Sequence, residues 1–157
     1  MNICMTHYAF YPTTGGVETH LLDLCAELAR QGHTVHALVG TMAGQPERNV
    51  TEGVHVHRVA WMNPEVMRER KKAAGVPVAT EWPALREEIK AAYRRFIGEW
   101  NIDVVHAHNF HHFLPEYGLA LTDIRREDGV PTLLTIHEMW GEFLCQDLLD
   151  RTEWDSI

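Results

Sequence analysis

The chain has 157 residues, 45% of them hydrophobic and 23% charged, the size and composition of one globular domain with a sizeable core. A formal net charge of −8 argues against a general binder of nucleic acid or anionic membranes, which would carry a basic face. Three cysteines without a CxxC spacing (Cys4, Cys25, Cys145), no apolar run of about 18 residues, and a start, "MNICMTHYAF", unlike a signal peptide give the expectation of a soluble cytoplasmic domain with reduced thiols.

In chain order, "NICMT" (Asn2 to Thr6) is a short apolar run before the turn formers Pro12, Thr13, Thr14 and the pair Gly15-Gly16, and it reads as a buried strand followed by a loop. Val17, Leu21, Leu24, Cys25 and Leu28 recur at spacings of three or four, so Val17 to Gln31 is expected as a helix that Gly32 ends. "HTVHALVG" (His33 to Gly40) restores a β-rich run and completes a βαβ unit with a right-handed crossover. Gly53 to Ala60 alternates Val54, Val56 with His55, His57, the period of a strand. Residues 61–80, interrupted by Pro64, Gly75 and Pro77, give no element, and the basic run "RERKKAAG" (Arg68 to Gly75) reads as solvated surface. A long helix is expected over Trp82 to Trp100, opened by Pro83, with Leu85, Ile89, Tyr93, Phe96 and Ile97 on one side. "IDVVHAH" (Ile102 to His108) is the next strand. A helix over His111 to Arg126, a strand over Pro131 to His137 and a helix over Met139 to Leu149 complete the series. The alternation predicts an α/β domain, Rossmann-like, with a mostly parallel sheet and helices on both faces. Ligands of such sheets bind beyond the carboxyl ends of the strands, here residues 7–16, 107–112 and 137–142.

Gly15-Gly16 fits two roles. Glycine permits a tight strand-to-helix turn, and it also lets a ligand approach the N–H groups and partial positive charge of a helix start. Neither GxGxxG nor GxxxxGK[ST] is present, so neither the usual dinucleotide loop nor a P-loop is expected. Four of the eleven histidines, His106, His108, His111 and His112, crowd into "HAHNFHHF". His111 and His112 are adjacent and diverge on a helix, so this run does not predict a metal centre. His137 ends an apolar strand, where an imidazole is placed to donate to a sugar hydroxyl or move a proton; a hydrogen bond to a backbone carbonyl is the plainer alternative. No nucleophile elbow supports a hydrolase triad.

Taken in order, "YPTTGGVETHLLDLCAELARQGHTVHAL", "DVVHAHN" and "PTLLTIHEMW" resemble the N-terminal half of a family-4 glycosyltransferase, the GT-B group of retaining nucleotide-sugar enzymes. The resemblance implies that Gly15 and Gly16 lie against the donor diphosphate and that His137 contacts the transferring sugar. It further implies that His108 and Asn109 line the acceptor side and that Glu18 orders the glycine loop. No metal or cofactor is implied, the nucleotide sugar being a substrate. Such enzymes bind most of the donor in a second Rossmann-like domain with a Glu-x7-Glu motif and basic residues for the phosphates. The chain ends at "DRTEWDSI", where the first domain is nearly complete. The expectation is therefore that residues 1–157 are the acceptor-side domain, with the C-terminal nucleotide-sugar domain absent and transfer dependent on a donor-domain partner. The segment "GEFLCQDL" also lacks the basic residue that many relatives carry near that cysteine. Self-association through the cleft face is a further expectation. Two alternatives stand beside this one: a non-catalytic binding or regulatory module on the same fold, and an unrelated flavodoxin-like or metal-binding α/β domain.

Overall fold

The computed structural model describes residues 1–109 and 114–137. The expected helix over Met139 to Leu149, the positions of His111 and His112, and Cys145 lie outside these. The described elements are β1 (Asn2–Thr6), α1 (Gly16–Arg30), β2 (Thr34–Gly40), β3 (Arg48–Thr51), β4 (Val54–Val59), a 3-10 turn (Ala60–Met62), α2 (Pro64–Ala73), α3 (Pro83–Trp100), β5 (Val104–His108), α4 (Pro115–Asp128) and β6 (Thr132–Thr135). They form one six-stranded sheet of order β3-β4-β2-β1-β5-β6. Every pairing is parallel except β3 with β4.

The central strands send alternate side chains to opposite faces. Ile3, Met5, Val35, Ala37, Val39, Val54 and Val56 pack against Leu21 and Cys25 of α1. Cys4, Leu38, Val105 and Ala107 pack instead with Leu85, Ile89, Tyr93 and Phe96 of α3, Tyr117 and Leu121 of α4, and Met67 of α2. This two-faced core confirms the expected α/β class.

Two elements depart from expectation. Arg48–Thr51 is a strand that pairs antiparallel with β4 across Glu52 and Gly53, both at positive φ. Four residues at a sheet edge, two of them charged or amide, carry too little alternation to be read. The second departure is α2. Its sequence, PEVMRERKKA, has no apolar stripe, because only Pro64, Met67 and Lys71 turn inward. The helix is fixed by other means. Asn63 caps it by accepting from the Glu65 and Val66 N–H groups at 3.0 and 3.4 Å, and Pro64 occupies the first turn. Arg70 holds Glu88 of α3 through two 2.8 Å bonds. The basic run is thus only partly solvated: Lys71 is fully buried against Glu116 of α4 at 2.7 Å.

On the α3 side, neighbouring β2 and β4 place His36 and His57 together. His36 Nδ1 and His57 Nε2 are 3.1 Å apart, against the rings of Phe96 and Trp100. Burial, reinforced by His55, lowers His36 from an ordinary 6.5 to about 4. Burial, then His36, Arg48 and His55, lowers His57 equally, to about 4. The fold therefore holds both rings neutral while the unfolded chain protonates them. Their contribution is present above pH 6.5 and is lost as pH falls through about 4. At about 1.4 kcal/mol per pKa unit, and with the two rings titrating as a pair, urea unfolding at pH 4 is expected to show roughly 2–4 kcal/mol less stability than at pH 7. A His36→Phe, His57→Leu variant should flatten that slope, leaving the share contributed by His106 and His108, which burial also holds below their ordinary value. An unchanged slope would show that these rings do not govern it.

Candidate functional site

The chain runs outward from β1 to β2, β3 and β4, then crosses back to β5 on the other side of β1. The strand order reverses between β1 and β5, which makes their carboxyl ends the crevice where open α/β sheets hold ligands. The loop leaving β1 is pinned there. The Gly40 N–H donates to the Tyr8 carbonyl at 3.0 Å, and buried Arg58 of β4 donates to the Tyr11 carbonyl at 2.8 Å. The loop ends at Gly15, and α1 starts over the crevice.

The two glycines differ in what they permit. Gly15 is the N-cap with φ −158°, extended backbone that any residue adopts, so left-handed freedom is not its purpose. Space is. A Cβ there would stand 2.3 Å from Glu18 Oε2. Glu18, itself buried, folds back over Gly15 and sets its other oxygen 3.4 Å from His7 Nε2. The opposite ring nitrogen, His7 Nδ1, bonds the His108 carbonyl at 2.9 Å. A chain of contacts thus runs from the glycine loop through Glu18 and His7 to the end of β5. At Gly16 a Cβ would meet no atom of the described residues within 4 Å beyond its chain neighbours and its own helix backbone, so among the described residues nothing covers the first turn of α1.

These positions make opposite predictions. Gly15→Ala should swing the Glu18 carboxylate off His7 and cost about 0.5–1 kcal/mol, the clash being with the movable end of a side chain and alanine being a poorer N-cap than glycine. Gly16→Ala should leave stability unchanged or raise it by up to about 1 kcal/mol, alanine being the better helix former. Thermal melts of the two variants check this, and equal losses would contradict it.

Beyond β5 and β6 the imidazoles gather. His108 is completely buried, and its Nδ1 lies 2.8 Å from His137 Nε2. Asn109, at φ 47°, clamps the two strand ends: its N–H donates to the Thr135 carbonyl at 3.0 Å, and its Oδ1 accepts the His137 N–H at 2.7 Å. His106 sits below, with Nε2 2.7 Å from Thr135 Oγ1 and its ring 4.2 Å from that of His108. His20, one turn into α1, completes the group, its ring centroid 4.8 Å from His137 and 6.3 Å from His108. Burial, followed by the fields of His106, His137, His7 and His20, lowers His108 to about 3. His108 is neutral throughout the physiological range. His20 is four residues beyond Gly16, about 6 Å along the helix axis, so the uncovered helix start and the imidazoles share one end of the sheet.

On the other flank of the glycine loop, a cleft of about 340 Å³ is lined by Tyr8, Thr13, Met42, Asn63 and Arg68 among others. The structure thus gathers Glu18, His108, Asn109 and His137, which the sequence singles out, around the start of α1 at Gly15 and Gly16. It adds His7 and His20, which the sequence reading passed over. His7 follows β1 as His137 follows β6, so the strand-end rule would have found it. His20 lies on an amphipathic helix, and only the fold reveals what it faces.

Among the described residues no helix is long and apolar enough to cross a membrane. No curated protein matches the chain. Among solved structures, the sucrose-phosphate synthase from Thermosynechococcus elongatus is similar, with a TM-score of 0.58 at 14% identity over 88% of this chain. The alignment takes in 33% of that protein, so the chain spans about a third of its length. The likeness supports the fold, half of a GT-B architecture. The family model for a glycosyl transferase 4-like domain matches residues 15–153, from the first glycine of the loop to beyond the last described strand. The chain therefore belongs to the glycosyl transferase 4-like family and carries its N-terminal domain.

Proposed function

We propose that the chain is the acceptor-side domain of a retaining glycosyltransferase that moves a sugar from a nucleotide-sugar donor to an acceptor hydroxyl. The observation that carries this reading is the convergence on one crevice of an uncovered helix start at Gly16 and a strand-end imidazole at His137. In this reading the leaving diphosphate lies at Gly15 and Gly16, where the helix start offers N–H groups and partial positive charge. His137 donates to the transferring sugar, held in place by Asn109 and His108. His108 and Asn109 also form the floor on the acceptor side, and the cleft beside Thr13 and Asn63 gives the acceptor room. Glu18 keeps the glycine loop in shape through His7.

The bond between the sugar and the diphosphate breaks as the acceptor oxygen bonds the same face of the sugar. The proton of that hydroxyl passes to the departing phosphate. No side chain is assigned as a general base, and no resident metal or cofactor takes part. A helix start alone does not balance a diphosphate, and charge stabilisation of this kind is a large catalytic contribution. The reading therefore requires a donor-binding domain with basic residues, carried by the same polypeptide or by a partner, in a cytoplasmic setting where nucleotide sugars are supplied. Exposed Leu133 and Leu134 on β6 and Ile136 just after it suit contact with such a partner or with a second copy.

Gly16→Ala tests the reading, because it fills the uncovered space without a clash. With the donor-binding domain supplied, it should weaken donor use at least tenfold while the melting temperature holds. Undiminished donor use would contradict the placement of the diphosphate. A non-catalytic module on this fold would bind glycan or partner but release no nucleoside diphosphate in any such mixture.

A further inference from the structure

We propose that His20, His108 and His137 form a binding site for a divalent transition cation of the zinc class. Each ring offers a nitrogen, and the three atoms lie within 4.8 Å of one another. They come from α1, the last residue of β5 and the second residue after β6, so the crevice itself brings them together. A tetrahedral zinc with nitrogens at 2.0–2.1 Å needs them about 3.3 Å apart. The hydrogen bond between His108 Nδ1 and His137 Nε2, 2.8 Å long, holds these two rings stacked side by side. His20 is exposed, so its side chain has room to close on the pair.

A second, independent observation points the same way. His108 is completely buried, and while its Nδ1 faces His137, its Nε2 has no hydrogen-bond partner among the described residues. Buried polar atoms are rarely left so. This ring is set among more histidines than hydrogen bonding between them can satisfy. A cation bound through Nε2 would supply the partner that this atom lacks, while Nδ1 keeps its contact to His137.

The donor set selects the metal. Three neutral imidazoles without a carboxylate suit zinc, cobalt, nickel or copper and do not suit magnesium or calcium. Three protein ligands leave a fourth position open. The binding claim is independent of the transferase reading. One corollary rests on that reading: a cation held by His137 takes the imidazole that would otherwise meet the sugar, so zinc would inhibit transfer and removing it would restore transfer.

The test is calorimetric titration of the whole, metal-free chain with zinc, repeated for His20→Ala and His55→Ala. His20 is exposed, so its replacement should not disturb folding, and circular dichroism of the metal-free variant checks this. The expected result is one zinc per chain, bound about a hundredfold or more weaker in His20→Ala, since even outer-shell losses cost about 10–100-fold. His55→Ala should bind like the parent. Parent-like affinity in His20→Ala, loss of binding in His55→Ala (which would place the metal at the His36, His55 and His57 group), or no binding by the parent would each overturn the proposal. Cobalt-loaded parent should also show paramagnetically shifted signals from three imidazoles, and fewer than three would overturn the set.

Discussion

Replacing His137 with alanine is expected to lower transfer by roughly 10²–10³-fold in the assembled enzyme, the cost of losing one hydrogen bond aimed at the transition state. The expectation follows from how the ring is held. Its backbone N–H is fixed by Asn109 Oδ1, and its Nε2 by His108 Nδ1, a ring that burial keeps neutral. In the proposed reading the imidazole would meet the sugar without first being ordered. His137 is only half-buried and ends a strand that is already paired, so its loss should not unfold the domain. The measurement is nucleoside diphosphate release for parent and variant, with melting temperatures alongside. Equal turnover would remove His137 from the reaction. Asn109→Ala provides a graded companion: it frees the strand end without deleting the imidazole, and should act through kcat more than through folding.

The second large effect concerns stability. Lys71→Met is expected to cost about 3–5 kcal/mol, because it leaves the Glu116 carboxylate charged and buried without its cation. Lys71 and Glu116 are both fully buried and 2.7 Å apart. The ammonium also donates to the Val78 and Thr80 carbonyls at 2.9 and 2.5 Å. The same carboxylate oxygen accepts the Trp82 N–H at 2.8 Å, whereas Glu116 Oε2 has no hydrogen-bond partner among the described residues. One ion pair thus ties α2, the connection to α3, and α4. The double variant Lys71→Met, Glu116→Leu should recover much of the loss, since removing both charges also removes their desolvation cost. Urea unfolding decides the matter, and a single-variant loss below about 1 kcal/mol would show the pair to be dispensable.

What the sequence disclosed and what it concealed follow from the same physics. α1 and α3 were legible because each buries one regular apolar face, Val17, Leu21 and Cys25 on α1 and Leu85, Ile89, Tyr93 and Phe96 on α3, and β1 and β2 because they are short runs buried on both faces. α2 was not, because Met67 alone gives it no hydrophobic period, and the rest of its hold is a cap, a bidentate ion pair to α3 and a buried lysine. At the site, His108 and His137 could be found by asking what stands at the carboxyl end of a strand. Gly15 could be found as a glycine but not explained as one: the space it leaves is filled by Glu18, three residues on. His20 could not be found, because its neighbours His108 and His137 are some ninety and more positions away and meet it only through the parallel order of β1, β5 and β6.

The central claim is that one crevice, at the carboxyl ends of β1, β5 and β6, receives both the diphosphate and the sugar of a nucleotide-sugar donor. The most direct measurement is a nuclear magnetic resonance titration of the isotopically labelled chain with a panel of nucleotide sugars, following the Gly15 and Gly16 amides and the His20, His108 and His137 rings. The account predicts that at least one donor shifts the glycine amides and the His137 ring together, saturably, while signals from His36 and His57 on the other face stay still. Shifts confined to other surfaces, or none at these positions with every donor, would contradict it.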